Sequence, residues 1–217
     1  MDTSETFESI SLALSTQSRC DGSAKAMVGK SDAVAGVYGP LESKASSQII
    51  EGVLEVSYKA HLISTSTQED ADYASTIRQA LSSCIQTLPR TTTSLSVRVM
   101  ADEGNGFCAA VMAAVAALVD AGIALLKIPV GIEVTLGQDG TPSFSPSLDE
   151  KALARARLLM IFCGEDEGPS TLISSGVCSR QELLSVLTKS RNRAQAIRLE
   201  MESVFKQHAL EDKDLCI

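Results

Sequence analysis

The chain has 217 residues, enough for one domain with a full core or a closely joined pair. A formal net charge of −8 argues against a free-standing nucleic-acid binder, whose surface is as a rule basic, while leaving room for a local basic patch. There is no Trp and aromatic residues make up 4%, which excludes a surface built on extensive base stacking.

Residues 1–8 are polar and acidic and read as a frayed start without a signal peptide. Ile10, Leu12 and Leu14 alternate with small residues, as in a half-buried strand. Cys20-Asp-Gly-Ser23 supplies hairpin chemistry, and strands are expected through Val28 and over Ala33 to Tyr38, stopping at Gly39-Pro40. Val53 to Lys59 alternates as a fourth strand, and three or four consecutive strands with short turns predict an antiparallel meander. Gly29-Lys-Ser31 looks like the end of a phosphate-binding P-loop. The first glycine of that motif is Ala24 here, and a strand follows where a helix is needed, so that reading fails.

Asp70 to Leu88 carries Ala74, Ile77, Leu81, Cys84, Ile85 and Leu88 at helical spacing, and Pro89-Arg90 is expected to end that helix. Thr91 to Met100 is β-branched and alternating, a fifth strand. It leads into Asp102-Glu-Gly-Asn-Gly106, after which every residue from Phe107 to Val119 is apolar. A helix apolar all round is buried on every face or lies in a membrane, and this one, at about 20 Å, is too short to span the ~30 Å hydrocarbon core. It is therefore expected to be the central core helix, with Gly122 closing it in the left-handed conformation. Val130 to Leu136 reads as a strand and Gln138-Asp-Gly140 as a hairpin turn. Ala152 to Cys163 fits strand or helix, with strand favoured because β-rich Leu172 to Val177 follows a Gly-Pro loop. Ser179-x-x-Glu182 is a capping box opening a long helix. Leu183, Val186, Leu187, Ala194, Ile197, Met201, Val204 and Phe205 line its apolar face, and Arg180, Lys189, Arg191, Arg193, Arg198 and Lys206 its basic one. Residues 9–208 read as a single domain and 209–217 as an acidic tail.

Chemistry is sparse. Six cysteines show no paired metal spacing and several lie in apolar runs, which predicts a reduced, intracellular protein without disulfides, metal or cofactor. His61 and His208 lie near no serine or cysteine motif, and Glu165-Asp-Glu167 and Glu211-Asp212 are loop or tail carboxylates. Gly104, Asn105 and Gly106 precede a helix N-terminus, an anion niche. Gly104 to Ala109 also matches G-x-G-x-x-A, but the acidic residue wanted about 20 positions on is missing, the nearest being Glu133. The residues alone give an α+β domain with a helix-terminus niche and no visible catalytic set.

Five strings in order carry a family likeness: C-D-G-S-A at 20–24, S-D-A-V-A-G-V-Y-G-P at 31–40, L-E-V at 54–56, P-R-T-T-T at 89–93 and A-A-L-V-D-A-G-I at 116–123. They resemble the RNase PH family, and within it the ring subunits of the eukaryotic RNA exosome. The resemblance implies the RNase PH fold (similar to domain 2 of ribosomal protein S5): mixed β-sheets packed with a buried central helix and a long C-terminal helix. Active members degrade RNA from its 3′ end with phosphate as nucleophile, holding the phosphate with an arginine in the turn before the buried helix. Gly106 stands at that place here, and Ser145 and Lys151 stand where the two acidic residues are expected. A lysine cannot accept a proton or help place a metal, though a register slip would bring in Asp149 or Glu150. The resemblance thus implies a non-catalytic subunit in a hetero-hexameric ring. Its partners would be other RNase PH-like subunits, cap proteins, an associated nuclease and RNA, with no membrane, in nucleus, nucleolus and cytoplasm. Arg78 and Arg90 are the candidate RNA-backbone contacts, since a guanidinium suits bidentate phosphate binding, unless each pairs with a carboxylate of its own chain. Two rivals remain: a homodimeric metal-dependent nuclease using Asp102, Glu103 or Asp139, and a dinucleotide-binding protein using the Gly104 turn.

Overall fold

The computed structural model describes residues 9–42, 52–60, 68–164 and 168–215, with side chains up to residue 210. His61, Glu165-Asp-Glu167, Cys216 and the first eight residues lie outside them, as do the side chains of Glu211 and Asp212. In chain order the elements are β1 (Ile10–Leu14), β2 (Gly22–Val28), β3 (Ser31–Glu42), β4 (Val53–Lys59), α1 (Gln68–Ser82), β5 (Thr91–Ala101), α2 (Gly106–Asp120), β6 (Pro129–Leu136), β7 (Pro142–Ser143), α3 (Leu148–Leu153), β8 (Ala156–Cys163), β9 (Thr171–Gly176) and α4 (Arg180–Leu215). They form an α+β fold with two sheets, one ordered β1-β2-β3-β5-β4 and one ordered β7-β6-β8-β9.

The apolar run does what its composition requires. Gly106 to Leu118 are all buried, and α2 has β1, β2, β3 and β5 against one side and β6 against the other. Both sheets come close to the helix. A Cβ on Gly22 of β2 would strike the Ala121 amide and the Ala117 carbonyl, and one on Gly131 of β6 would sit 3.1 Å from the Val111 side chain. Alanines on the helix and glycines on the strands let the layers meet backbone to backbone, as dense interiors require. Gly122 (φ +71°) closes α2: its N–H donates to the Val119 carbonyl and that of Ile123 to the Leu118 carbonyl, a Schellman ending. No helix among the described residues is long and apolar enough to cross a membrane.

Strands β1 to β3 form the expected meander, but β4 does not join it. It lies beyond β5 and pairs with it in parallel, Val53 opposite Thr92 through Lys59 opposite Arg98. Alternation fixes which face of a strand is buried and says nothing of its neighbour; α1 makes the crossover that a parallel pair needs. The first sheet is two-faced. Ala24, Ala26, Ala33, Ala35, Val37, Leu95, Val97 and Val99 are buried, while Met27, Tyr38, Arg98 and Met100 alternate with them and face solvent. Strand β3 runs through Gly39-Pro40 to Glu42 instead of stopping there, because the register shifts between Tyr38 and Leu41 and Pro40 has no N–H to leave unpaired.

Helix α1 stops at Ser82, short of the predicted Leu88. The Cys84 carbonyl accepts the Leu126 N–H (2.7 Å), the Gln86 N–H donates to the Ala124 carbonyl (2.9 Å) and Ile85 bridges Leu125. A short tertiary pairing takes the backbone groups that another helical turn would have used, and Leu88 is left exposed. The front of the Ala152–Cys163 run is helical in α3, and its rest is the favoured strand, β8. Helix α4 runs on to Leu215, through the segment read as a tail. Its cations do not make one solvated face: Arg198 is buried beside Glu202 and Arg193 turns inward, while Arg180, Lys189 and Arg191 remain exposed. His208 lies 3.7 Å from Asp120, which ends α2.

Replacing Ala117 by Leu should destabilise the protein by roughly 1–3 kcal/mol through overpacking, read from urea unfolding. A second expectation concerns the capping box of α4, which forms with the Ser179 N–H on Glu182 at 2.7 Å and Arg155 on the same carboxylate at 2.6 Å. The Ser179 N–H, then Arg155, hold the Glu182 carboxyl down from 4.5 to about 2. A depressed carboxylate stabilises above its unfolded value and loses that contribution as pH falls through the folded one. Unfolding curves of Glu182→Gln should therefore show a smaller stability loss than the parent between pH 4.5 and about 2.

Candidate functional site

At the C-terminal end of β5 the chain turns through Asp102-Glu-Gly-Asn105 into α2. Ser31, the first residue of β3, is buried, and its hydroxyl accepts the N–H groups of Glu103 (2.9 Å) and Asn105 (3.0 Å). Asp102 folds over the helix start: its Oδ1 accepts the N–H groups of Gly104 (2.8 Å) and Gly106 (2.9 Å). Asn105, at the N-cap, gives no side-chain cap bond, so the Asp102 carboxylate caps the helix instead. The expected anion niche is thus filled from within the chain. A phosphate arriving there would have to displace a carboxylate already held by two amides and favoured by the helix dipole. Gly106 makes this possible, since a Cβ there would lie 2.7 Å from the Asp102 carboxyl carbon. Gly104, at φ +127° with the Pro146 carbonyl against it, is a position only glycine fills without strain.

The other half of the site hangs on Glu133. This residue of β6 is 1% exposed, and its Oε1 receives Lys151 Nζ at 2.6 Å and an Arg157 guanidinium N–H at 3.2 Å. The Lys151 side chain is itself only 9% exposed. Ser145 accepts a hydrogen bond from Arg193 of α4 (2.8 Å), whose guanidinium lies 6.0 Å over the Phe144 ring. Glu150 is committed to the capping box of α3 with Ser147, and Asp149 is exposed on that helix. Burial, then the nearby Glu133 charge, pushes the Cys108 thiol up to about 12, so it behaves as packing rather than as a nucleophile.

The structure brings the two halves together. Glu103, Asn105, Ser145 and Ser147 line one cleft with Lys30, and the Pro146 carbonyl touches the Gly104 turn. Arg78 and Arg90 are elsewhere. Arg90 (φ +60°) stands just before β5, whose 11 residues span about 36 Å to the turn, and Arg78 borders the groove between α1 and β4. Both are exposed, and neither forms an ion pair among the described residues. The rivals fare poorly. Asp139 is held by the Thr141 hydroxyl (2.7 Å) within its own turn, which lowers its pKa, and among the described residues no three of His, Cys, Asp or Glu converge as metal ligands would. The strand after α2 is β6, in the other sheet, so the parallel β-α-β unit of a dinucleotide fold is not formed. Sequence reasoning met Ser31, Glu133 and Arg193 only in other roles and missed Arg157. A lone glutamate in the apolar run Pro129-Val-Gly-Ile-Glu-Val-Thr-Leu136 was the available signal, since a buried charge demands a partner.

Residues 6–124 match RNase PH, the 3′ exoribonuclease family, domain 1. The chain belongs to this family. Its relatives include an exosome complex exonuclease RRP46 homolog of Arabidopsis thaliana, 31% identical over 159 residues (72% of this chain, 64% of the relative), and one of Oryza sativa subsp. japonica, 26% identical over 210 residues (88% of each). Another is the exosome complex component Rrp41 of Pyrobaculum aerophilum, 30% identical over 151 residues (64% of this chain). The aligned part spans 61% of that last relative's length. Among solved structures, rice Rrp46 superposes with a TM-score of 0.85 at 24% identity, covering 93% of this chain and 96% of its own. An Archaeoglobus fulgidus exosome with RNA bound to the active site gives 0.77 at 17%, covering 90% and 89%, and these two likenesses speak for the fold. The strings noted in the sequence look most like exosome component five, in keeping with RRP46 homologues among the relatives.

Lys151→Met should destabilise the RNase PH-like domain by roughly 3–5 kcal/mol, because Glu133 keeps its burial and loses its nearer cation. Adding Glu133→Leu should recover much of that loss in the same denaturant titration. Asp102→Ala, which uncaps α2, should cost about 0.5–2 kcal/mol.

Proposed function

We propose that the chain is a non-catalytic RNase PH-like subunit of an RNA exosome ring, one that scaffolds the assembly and lines part of the RNA channel for 3′-to-5′ processing and degradation. The observation that carries this reading is the self-filled site. Where a phosphorolytic enzyme must hold phosphate, the Asp102 carboxylate sits on the Gly104 and Gly106 amides. Where the two acids are expected, Ser145 meets Arg193 and Lys151 is buried on Glu133. Nucleophile and general acid are both unprovided for, while the fold that would meet ring neighbours is intact. The names of the relatives, exosome subunits of plants and archaea, support the assembly.

One lateral contact suits another RNase PH-like subunit in a hetero-hexamer, with cap proteins and a nuclease joining the ring: Leu153, Val177 and Leu184, all more than half exposed, on the segments that carry the Arg155–Glu182 pair. Clusters of this kind on a free chain mark places where a partner sits. Arg78 and Arg90 are the proposed RNA-backbone contacts, and nucleus, nucleolus and cytoplasm the proposed locations.

Purified protein given RNA, Mg²⁺ and inorganic phosphate should release no nucleoside diphosphate, followed by thin-layer chromatography. Release that disappears in Asp149→Asn or Glu150→Gln would overturn the non-catalytic reading. Co-expression with a second RNase PH-like subunit should give a 1:1 heterodimer by light scattering. An endogenous protein that purifies as a lone monomer, with no ring subunit attached, would sink the assembly reading.

A further inference from the structure

The outer face of the five-stranded sheet is covered by no element among the described residues, and its charge is unlike that of the chain. Pairing across four strands sets Lys25 opposite Val34, Val34 opposite Arg98 and Arg98 opposite Lys59, so three cations stand in one row. Arg98 and Lys59 are exposed and form no ion pair among the described residues; Lys25 is joined to Asp32 at 2.7 Å. Adjacent strands lie roughly 5 Å apart, which puts Arg98 and Lys59 side by side. Two further acids lie here: Glu55, further along β4, accepts from the Ser94 hydroxyl, and Asp21, which accepts the Gly39 N–H, is near enough for its charge to act on the Tyr38 hydroxyl. Between Glu55 and the cations the surface is low, with Ser96 paired to Ser57. Past this floor, about 13 Å from the row along β3, Tyr38 is 43% exposed. Beside it the Cys20 thiol sits over Gly36 and donates to Gln17 Oε1 at 3.3 Å.

We propose that this open sheet face binds single-stranded RNA, with backbone phosphates on the row formed by Lys25, Arg98 and Lys59 and a base stacked on Tyr38. It rests on the reading of the chain as part of an RNA-handling ring and adds a surface about 13 Å along β5 from Asp102 and away from Arg90; its Lys59 end borders the groove that Arg78 lines. Cations beside a low floor and an exposed ring match both parts of a nucleotide, its phosphate and its base. An acidic protein partner would use the cations and leave the ring unexplained. Because the net charge of −8 repels polyanions over the whole surface, binding here is weak and strongly dependent on salt.

The test uses the full chain and a short fluorescent oligouridylate, with anisotropy read at several salt concentrations. The double variant Arg98→Glu, Lys59→Glu should bind about tenfold more weakly, and removal of two phosphate contacts should lower the slope of log K against log salt by about 1.4. Tyr38→Ala should weaken binding about tenfold while Tyr38→Phe preserves it, since the ring and not the hydroxyl makes the contact. All three side chains face solvent, and circular dichroism verifies that each variant is folded. An unchanged affinity and slope in the double variant overturns the proposal, as does the absence of measurable binding by the parent chain at low salt. So does a double variant that keeps RNA and loses capture of a second RNase PH-like subunit, which would make the face a protein interface. If Arg78→Glu loses RNA while the double variant keeps it, the sheet face falls and the ring reading stands; failure of subunit capture by the parent chain instead strikes the ring reading itself.

Discussion

Everything in this molecule is arranged around one helix that has no side to show to water. Helix α2 is buried from Gly106 to Leu118, so both sheets must cover it, and both must do so closely because alanine is its commonest residue. Gly22 on one sheet and Gly131 on the other let strand backbones come down onto it. A larger side chain at any of these contacts pushes two layers apart at once, since a packed interior has no spare volume to absorb it. The same constraint fixes where chemistry can occur. A helix buried along its length offers polar groups only at its ends, and its N-terminus opens at the junction of β5, β3 and the Ser145–Ser147 segment.

At that junction the electrostatics are satisfied internally. The positive end of α2 has the Asp102 carboxylate, held by two amides. The buried Glu133 has Lys151 and Arg157. Asp102 and Glu133 thus each have a covalently tethered partner, and a tethered partner forfeits far less entropy on docking than a free ion or phosphate does. Glycine at position 106 is therefore more than the first residue of the helix. Glycine there leaves the room into which Asp102 folds, so the niche is absent as well as uncharged.

Much of the fold was legible because its elements bury one face or none. The boundaries of β1, β5, β6 and α2 follow from alternation, from β-branching and from an unbroken apolar run. Where reading failed, a distant segment had taken backbone groups that local pattern assigned elsewhere. Helix α1 stops at Ser82 because the 124–126 segment hydrogen-bonds Cys84 and Gln86. Strand β4 joins β5 and not β3, a choice of neighbour that its own alternation leaves open.

By itself the sequence determined the class of fold, the helix at its centre, the glycine turn that opens it, and through its strings the family. These depend on spacing along the chain, and spacing is a local property. Only the tertiary structure decided that Asp102 fills the niche, that Lys151 is buried on Glu133 instead of pointing to solvent, and that Arg193 leaves the basic side of α4 to reach Ser145. It also decided that Lys25, Arg98 and Lys59, far apart in the chain, stand in one row. Charge partners are chosen by distance in space, and a carboxylate's nearest cation is set by which strands and helices pack together, information carried by no short stretch of residues.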